Sequence, residues 1–418
     1  MIVRQRQKRK IVSKGLAALG LAVISFLGLT VAMPAHTYAA VTNPQPVAKV
    51  SFTFDDGYTG AVTKAAPALA EYGMSGTEYV ITGMVGQPEY MTWPQITTLQ
   101  NQYGWEIGSH TVTHPELTTV TAAKLETEMA ASKSALQSRG FAATSFAAPY
   151  GDYNNQVLAA AAKHYAIHRP FWDTEGTNVW PYSDYLLQVK QVQSGVTVDQ
   201  VKGYINEAKQ KKLWLVLVFH EIKDVPSADP QEYEYSTANL KKIAAYVKSQ
   251  GIATTNVSKG TVTSTTNMLA NATFDNGLSN GWTTDNATQV KKNTASKGSQ
   301  PSPTSSIEMN ATTTAKSVHL FAPKVDVLSS TTYMIKSFLN VEKLTSGEVT
   351  YYIDEYDASG NWISGQYKSS EATSFVEAMN FTYKPTSVNV KKASLQIAVS
   401  GNSGIKAFVD NVQWFALN

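Results

Sequence analysis

The chain predicts two architectures in succession, an α/β layer or barrel with a mainly parallel sheet followed by an antiparallel β-sandwich. Three observations carry this expectation. The first is length, since 418 residues exceed one ordinary domain and leave room for two cores. The second is texture: up to about residue 260, short β-rich apolar runs alternate with Ala-rich helical stretches, the pattern of strands with crossover helices. The third is that beyond this point Thr, Ser and Asn abound, and period-two runs are separated by Gly, Asn and Ser turns, as in a sandwich.

Taken in order, the first 39 residues stand apart. Arg4, Arg6, Lys8, Arg9, Lys10 and Lys14 form a cationic head before an apolar run from Gly15 to Met33, and Pro34 then precedes Thr37-Tyr38-Ala39. This is the pattern of a secretory signal peptide cut near Ala39, which would leave no stable membrane insertion. The apolar run is also long enough for an uncleaved anchor. Strands are expected at 49–54, 76–81, 106–108, 145–147, 166–169 and 213–219, and helices at 61–72, 93–103, 122–139, 155–164, 198–211 and 237–250. A linker at 261–266 sits in a Thr/Ser-rich stretch and divides a domain at 40–260 from one at 267–418. In the latter, strands are expected at 348–356, 375–383 and 393–399.

Charge narrows the partners. The whole chain carries 35 Lys/Arg against 32 Asp/Glu, but the leading segment holds six Lys/Arg and no acid, which leaves 29 against 32. The mature chain is slightly acidic, so charge gives no support for nucleic-acid binding or a polybasic membrane patch. Cysteine is absent. That excludes disulfides, Cys-based zinc sites and a thiol nucleophile, and in an exported chain it points to a bacterial cell envelope.

The chemistry is concentrated in two stretches. Ser51–Tyr58 reads SFTFDDGY, in which a strand with alternating faces ends at Asp55-Asp56-Gly57. Ser109–Leu117 reads SHTVTHPEL. Asp56, His110 and His114 together supply one carboxylate and two imidazoles, the donor set of a catalytic zinc ion with an open position. A cation on Asp56 would relieve its repulsion with Asp55 and leave Asp55 ionised as a general base. Taken singly, an Asp-Asp-Gly turn or a His-x-x-x-His pair has a plain structural reading. Their combination is far more specific. Aromatic residues crowd the expected loop ends, and Trp172 and Trp180 are the candidates for stacking on a sugar face.

With these residues in view, the chain resembles the polysaccharide deacetylase family, carbohydrate esterase family 4, also called the NodB-homology domain. Its T-F-D-D-G motif matches Thr53–Gly57 and its H-[ST]-x-x-H motif matches His110–His114. The resemblance implies a deformed (β/α) barrel, Asp55 as general base, and Asp56, His110 and His114 as ligands of a divalent metal, most often zinc. It also implies that His220, at the end of the apolar run 213–220, is the general acid. Leu215 or Leu217 would then line the acetyl pocket, and the Tyr150 N–H would stabilise the oxyanion. The third motif departs from the usual Arg-Pro-Pro-Tyr-Gly, because Phe146–Gly151 reads FAAPYG and places Ala147 where an Arg normally holds the base. Arg169 is the candidate substitute cation on the substrate side. The FAxPYG form is similar to a branch that includes deacetylases of extracellular poly-N-acetylglucosamine and many exported enzymes of Gram-positive bacteria.

The second domain opens with NMLANATFD at 267–275 and closes with AFVDNV at 407–412, which resembles jelly-roll carbohydrate-binding modules. That resemblance implies a structural calcium ion, with Asp275 and Asp410 as candidate ligands. The expected function is an exported, monomeric, metal-dependent hydrolase that removes N-acetyl groups from an N-acetylglucosamine-containing glycan. Three other readings stay open: an O-acetyl esterase on a xylan-like polymer, an inactive surface protein that binds acetylated polysaccharide, and an Fe(II) site, which the two-His-one-carboxylate set also permits.

Overall fold

Strand β1 (Lys49–Asp56) is buried along nearly its whole length, and its apolar run is what a central strand covered on both faces requires. The structure is a computed structural model and describes residues 47–417 apart from 171–175, 231, 262–266, 313, 316, 344–346, 372–373 and 402–403. The expected signal peptide, Trp172 and nearly all of the expected linker lie outside the described residues.

After β1 the chain runs through a π-helical turn (Ala61–Ala65), α1 (Ala66–Ala70), β2 (Gly76–Val80), α2 (Trp93–Tyr103), β3 (Glu106–Ser109), α3 (Ala122–Gln137), β4 (Ser145–Ala147), α4 (Asn155–His164) and β5 (Ile167–Arg169). It continues through β6 (Lys190–Gln191), α5 (Val198–Lys211), β7 (Trp214–Phe219), β8 (Glu221–Lys223), β9 (Glu234–Ser236), α6 (Thr237–Ser249), β10 (Ala253–Thr254) and α7 (Val257–Gly260). The helices start where the sequence offers caps. Thr92 with Gln95 and Thr197 with Gln200 form capping boxes on α2 and α5, and Thr121, Asn154 and Ser236 accept from backbone N–H groups on α3, α4 and α6.

The order β5-β4-β3-β2-β1-β7-β6, parallel throughout with β10 beside β1, is the open half-barrel of a deformed (β/α) barrel. Phe52, Phe54, Leu215, Leu217 and Phe219 project from the central strands into one core shared with α1, α2, α5 and α6. Trp214, Val216 and Val218 point the other way, toward Ile167, Leu187 and Val189. The ends of β1, β3, β4, β5 and β7 converge on one rim, the place where α/β barrels carry their sites.

The remaining strands are antiparallel: β11 (Thr283–Thr284), β12 (Val290–Asn293), β13 (Ser306–Ala311), β14 (Ser317–Phe321), β15 (Val325–Asp326), β16 (Tyr333–Lys343), β17 (Glu348–Tyr356), β18 (Trp362–Glu371), β19 (Val376–Tyr383), β20 (Lys392–Ser400) and β21 (Ile405–Ala416). One sheet runs β11-β14-β20-β17-β18 with β15 beside β20, and the other runs β12-β13-β21-β16-β19. Alternate residues of both sheets, among them Ile335, Tyr351, Leu395 and Trp414, fill one core between them. The described residues form a single packed unit. Among the described residues, no helix is long and apolar enough to cross a membrane.

Candidate active site and metal centre

The end of β1 delivers two carboxylates in different directions. Asp55 keeps the extended alternation and is 5% exposed, whereas Asp56 turns into the left-handed region at φ 81° and Gly57 follows at φ 91°. That turn brings Asp56 Oδ1 to 3.5 Å from both His110 Nε2 and His114 Nε2, and the two imidazole nitrogens are 3.2 Å apart. Donors bound tetrahedrally at about 2.1 Å from a zinc ion would lie roughly 3.4 Å from one another. The triangle is therefore the size of one face of a tetrahedral zinc shell. His110 Nδ1 donates to the Ala147 carbonyl at 2.8 Å, which leaves the Nε2 lone pair facing the triangle. Two imidazole nitrogens and a carboxylate oxygen gathered at this spacing fit a cation.

Electrostatics agree with that fit. Burial works to raise the Asp56 carboxyl, but the close His110 ring, with His220 and His114 nearby, outweighs it and holds it at about 2. Burial, with His110 beside it, lowers His114 to about 4. Both groups are thus in their metal-ready forms at neutral pH.

The His110–His114 loop is held on two sides. Thr111, at φ 68°, accepts from the His114 N–H through its Oγ1 at 2.9 Å. Glu128 on α3 accepts from the Val112 N–H at 2.8 Å and the Thr113 N–H at 2.9 Å through one oxygen, and from Thr113 Oγ1 at 2.7 Å through the other. Lys124, one turn earlier, balances its charge at 2.6 Å. Hydrogen bonds to several donors overcome the burial of Glu128 and lower its carboxyl.

Arg169 meets Asp55 directly. Its guanidinium donates to Asp55 Oδ2, lies over the Tyr79 ring at 5.0 Å, and is 1% exposed. The register explains the reach, because Arg169 is the cross-strand partner of Ala147. The cation absent from β4 therefore enters from β5 on the same face.

These groups share a cavity of about 210 Å³, with Ala148, Tyr150 and Val218 forming part of its wall and Gln191, His220 and Tyr233 another part. Asp55 Oδ1, Arg169 Nε, Gln191 Nε2 and His220 Nδ1 are buried polar atoms without a hydrogen-bond partner among the described residues. Four such atoms around one cavity fit a polar ligand. His220 follows β7 directly, its ring 4.8 Å from that of Tyr233, and burial lowers it against the pull of Asp55 and Asp56. Tyr150 sits at φ 57° with its ring edge-on to His114 at 4.6 Å.

Two expectations are corrected. Leu217, like Leu215, is fully buried in the helix-side core, so Val218 rather than Leu217 reaches the cavity. A strand alternates strictly, so the cavity-facing residue stands one position beyond Leu217. Trp180 does not line the cavity; its ring packs on Met334, Phe415 and Leu417 in the C-terminal sheets. Glu128, Gln191, Val218 and Tyr233 carried no local motif, and only the parity of β7 pointed to one of them. Asp275 and Asp410 both reach the loop at 298–305. Asp410 Oδ2 accepts from the Ser299 N–H at 2.7 Å, Asp275 bonds Ser302, and Asp410 Oδ1 is buried without a partner.

Residues 42–166 match the family model described as polysaccharide deacetylase. The chain carries a polysaccharide deacetylase domain. Among curated proteins, the chain is 37% identical over 115 residues to YxkH of Bacillus subtilis, covering 27% of this chain and 41% of that one. It is 28% identical over 198 residues to chitin deacetylase 3 of Cryptococcus neoformans, 45% of this chain and 44% of that one. It is 26% identical over 151 residues to the peptidoglycan-N-acetylglucosamine deacetylase PgdA of Listeria monocytogenes, 36% and 30% respectively. The chain thus spans less than half the length of each of these relatives. The family match of the deacetylase domain ends before Arg169 and His220, which the geometry joins to the site.

Proposed function

We propose that the protein is an exported, metal-dependent deacetylase that removes N-acetyl groups from an N-acetylglucosamine-containing glycan. The observation that carries this reading is the Arg169-held carboxylate of Asp55 beside the Asp56/His110/His114 triangle, with His220 lining the same cavity. Two of the relatives bear names that refer to chitin and to peptidoglycan N-acetylglucosamine, both N-acetylated glycans. The pattern of residues 1–39 supports export.

Asp56, His110 and His114 would hold the metal, and the imidazole–carboxylate donor set suits zinc. Such an ion supplies Lewis-acid polarisation of a carbonyl and acidifies water. The chain's own groups do the rest. Arg169 occupies Asp55 Oδ2, which leaves the unpaired Oδ1 to take a proton from the attacking water. As the water oxygen bonds to the acetyl carbon, the Tyr150 N–H would stabilise the developing oxyanion. The C–N bond then breaks, His220 gives a proton to the departing nitrogen, and acetate leaves. Because burial lowers the pKa of His220, its ring must take up a proton before this transfer, and the imidazolium so formed gives it up readily. Val218 and Ala148 offer apolar wall for the acetyl methyl. In the C-terminal region, the orphaned Asp410 Oδ1 supports a structural calcium ion shared with Asp275.

Acetate release from N-acetylglucosamine oligomers and from acetylated xylan, with zinc restored to the protein, tests the reading. Release from the oligomers is expected. Full zinc occupancy with no release from any acetylated glycan would overturn it.

A further inference from the structure

The cation that orients Asp55 stands on β5, the outermost strand on its side of the parallel sheet. A strand in the sheet interior is fixed by neighbours on both edges, whereas an edge strand needs a cover. Here the cover is the segment leading from Trp180 to Leu187. The His168 N–H donates to the Asp184 carbonyl at 2.8 Å, His168 Nδ1 donates to the Tyr185 carbonyl at 2.8 Å, and Tyr185 Oη donates to the Tyr165 carbonyl at 2.9 Å. These three bonds pin the residues just before Arg169.

That cover is in turn backed by the C-terminal sheets. Lys336 on β16 pairs with Asp184 at 2.5 Å, in a contact where the two side chains are only 10% and 15% exposed. Phe338, two residues along the same face, meets the Tyr185 ring edge-on at 5.8 Å and packs with Val376 and Ala378 of β19 against Leu158 and Ala162 of α4. Asn380 donates to the Tyr182 carbonyl. One face of a sandwich sheet therefore serves as the outer wall of the strand that carries Arg169.

From this we infer that the C-terminal β-sandwich is a working part of the catalytic scaffold: Lys336 and Phe338 are positioning residues that act on Asp55 through Asp184, Tyr185 and Arg169. A binding module on a tether would alter how tightly polymer is held. A buttress alters how well the base is aimed, and it does so on substrates too short to touch the sandwich. This inference rests on the reading of Asp55 as the base held by Arg169.

The test uses the full chain and the N-acetylglucosamine tetramer. Phe338→Ala and Lys336→Met are expected to lower kcat about tenfold, because small misplacements of a reacting group are costly, while KM stays within about twofold. In an Arg169→Met background the same substitutions should add less than about twofold, since their route to Asp55 is already cut. Phe338→Leu, which keeps the packing volume, should recover most of the loss. Hydrogen–deuterium exchange gives a readout independent of activity: Phe338→Ala should speed exchange at 165–170 and leave 49–56 unchanged. Unaltered kcat, losses that multiply fully in the Arg169→Met background, or unaltered exchange at 165–170 would each overturn the inference. If the wild-type chain released no acetate from any glycan, the deacetylase reading would fail, and the exchange result would still decide whether the sandwich fixes β5.

Discussion

Arg169 and Ala147 face each other across β5 and β4, so the guanidinium that holds Asp55 comes from one strand further out than the family motif would place it. The pair it forms is almost wholly buried, with 1% and 6% of the two side chains exposed. Removing one member of a buried ion pair leaves the other uncompensated and costs about 3–5 kcal/mol. Arg169→Met should therefore lower the melting temperature and reduce kcat for acetate release by about a hundredfold or more. Ala147→Arg added to Arg169→Met places the cation back on β4, in the space just vacated, and should return part of the rate. No recovery in a folded double variant would mean that the two register positions are not interchangeable.

Asp55→Asn keeps the shape of the side chain and removes the base. Acetate release should fall by about 10²–10⁴, the usual contribution of a general base. Zinc stoichiometry should be unchanged, because Asp55 lies outside the ligand triangle. Near-wild-type release with zinc retained would remove Asp55 from the mechanism.

Chelation followed by zinc return should abolish and restore activity. Glu128→Ala extends this test to the loop between the two histidines, where it strips acceptors from Val112 and Thr113. Loss of a group that orients metal ligands typically weakens affinity about 10–100-fold. Competition against a fluorescent chelator reads that change directly, and an unaltered affinity would reduce Glu128 to a support of α3 alone.

Asp410 gives a pH dependence with a definite sign. Burial pushes its carboxyl up to about 8, against the pull of the Ser299 and Asn411 N–H groups, while the unfolded value is about 3.9. Folding thus favours the protonated form. Its contribution to stability is full below about pH 4 and is lost as pH rises through about 8, at roughly 1.4 kcal/mol per pKa unit. Asp410→Asn should flatten this slope in thermal melts. Calcium should raise the melting temperature of the wild type at pH 8 and leave Asp410→Asn unmoved.

Much of this was legible in the sequence because local chemistry and tertiary need coincide there. Helices 93–103, 155–164 and 198–211 begin at caps and carry apolar stripes, and the structure places them at those bounds. The Asp56, His110 and His114 donors lie together because each motif sits at the end of a strand. Short strands such as β6, β8, β9 and β10 were not legible, since two or three residues hold no periodicity and are defined only by their partners. Leu217 and Val218 are equally apolar, so hydrophobicity alone does not tell which face meets the cavity, and only the two-residue spacing from His220 singles out Val218. Trp180 is ambiguous in the sequence for a related reason: an aromatic in a loop can stack on a ligand or on another sheet, and only the packing of Met334 and Phe415 decides between them.

Four residues of the site, Asp56, Thr111, His114 and Tyr150, hold backbone angles with φ between 57° and 81°. Glycine adopts such angles freely, and other residues do so at a cost of order 1–3 kcal/mol each. Each of the four has a side chain in service: two donors of the triangle, the hydroxyl that braces the His114 N–H, and the ring against His114. The backbone thus keeps its own record of necessity. At these four positions the chain accepts a posture that glycine would take without effort and keeps a side chain that the site uses.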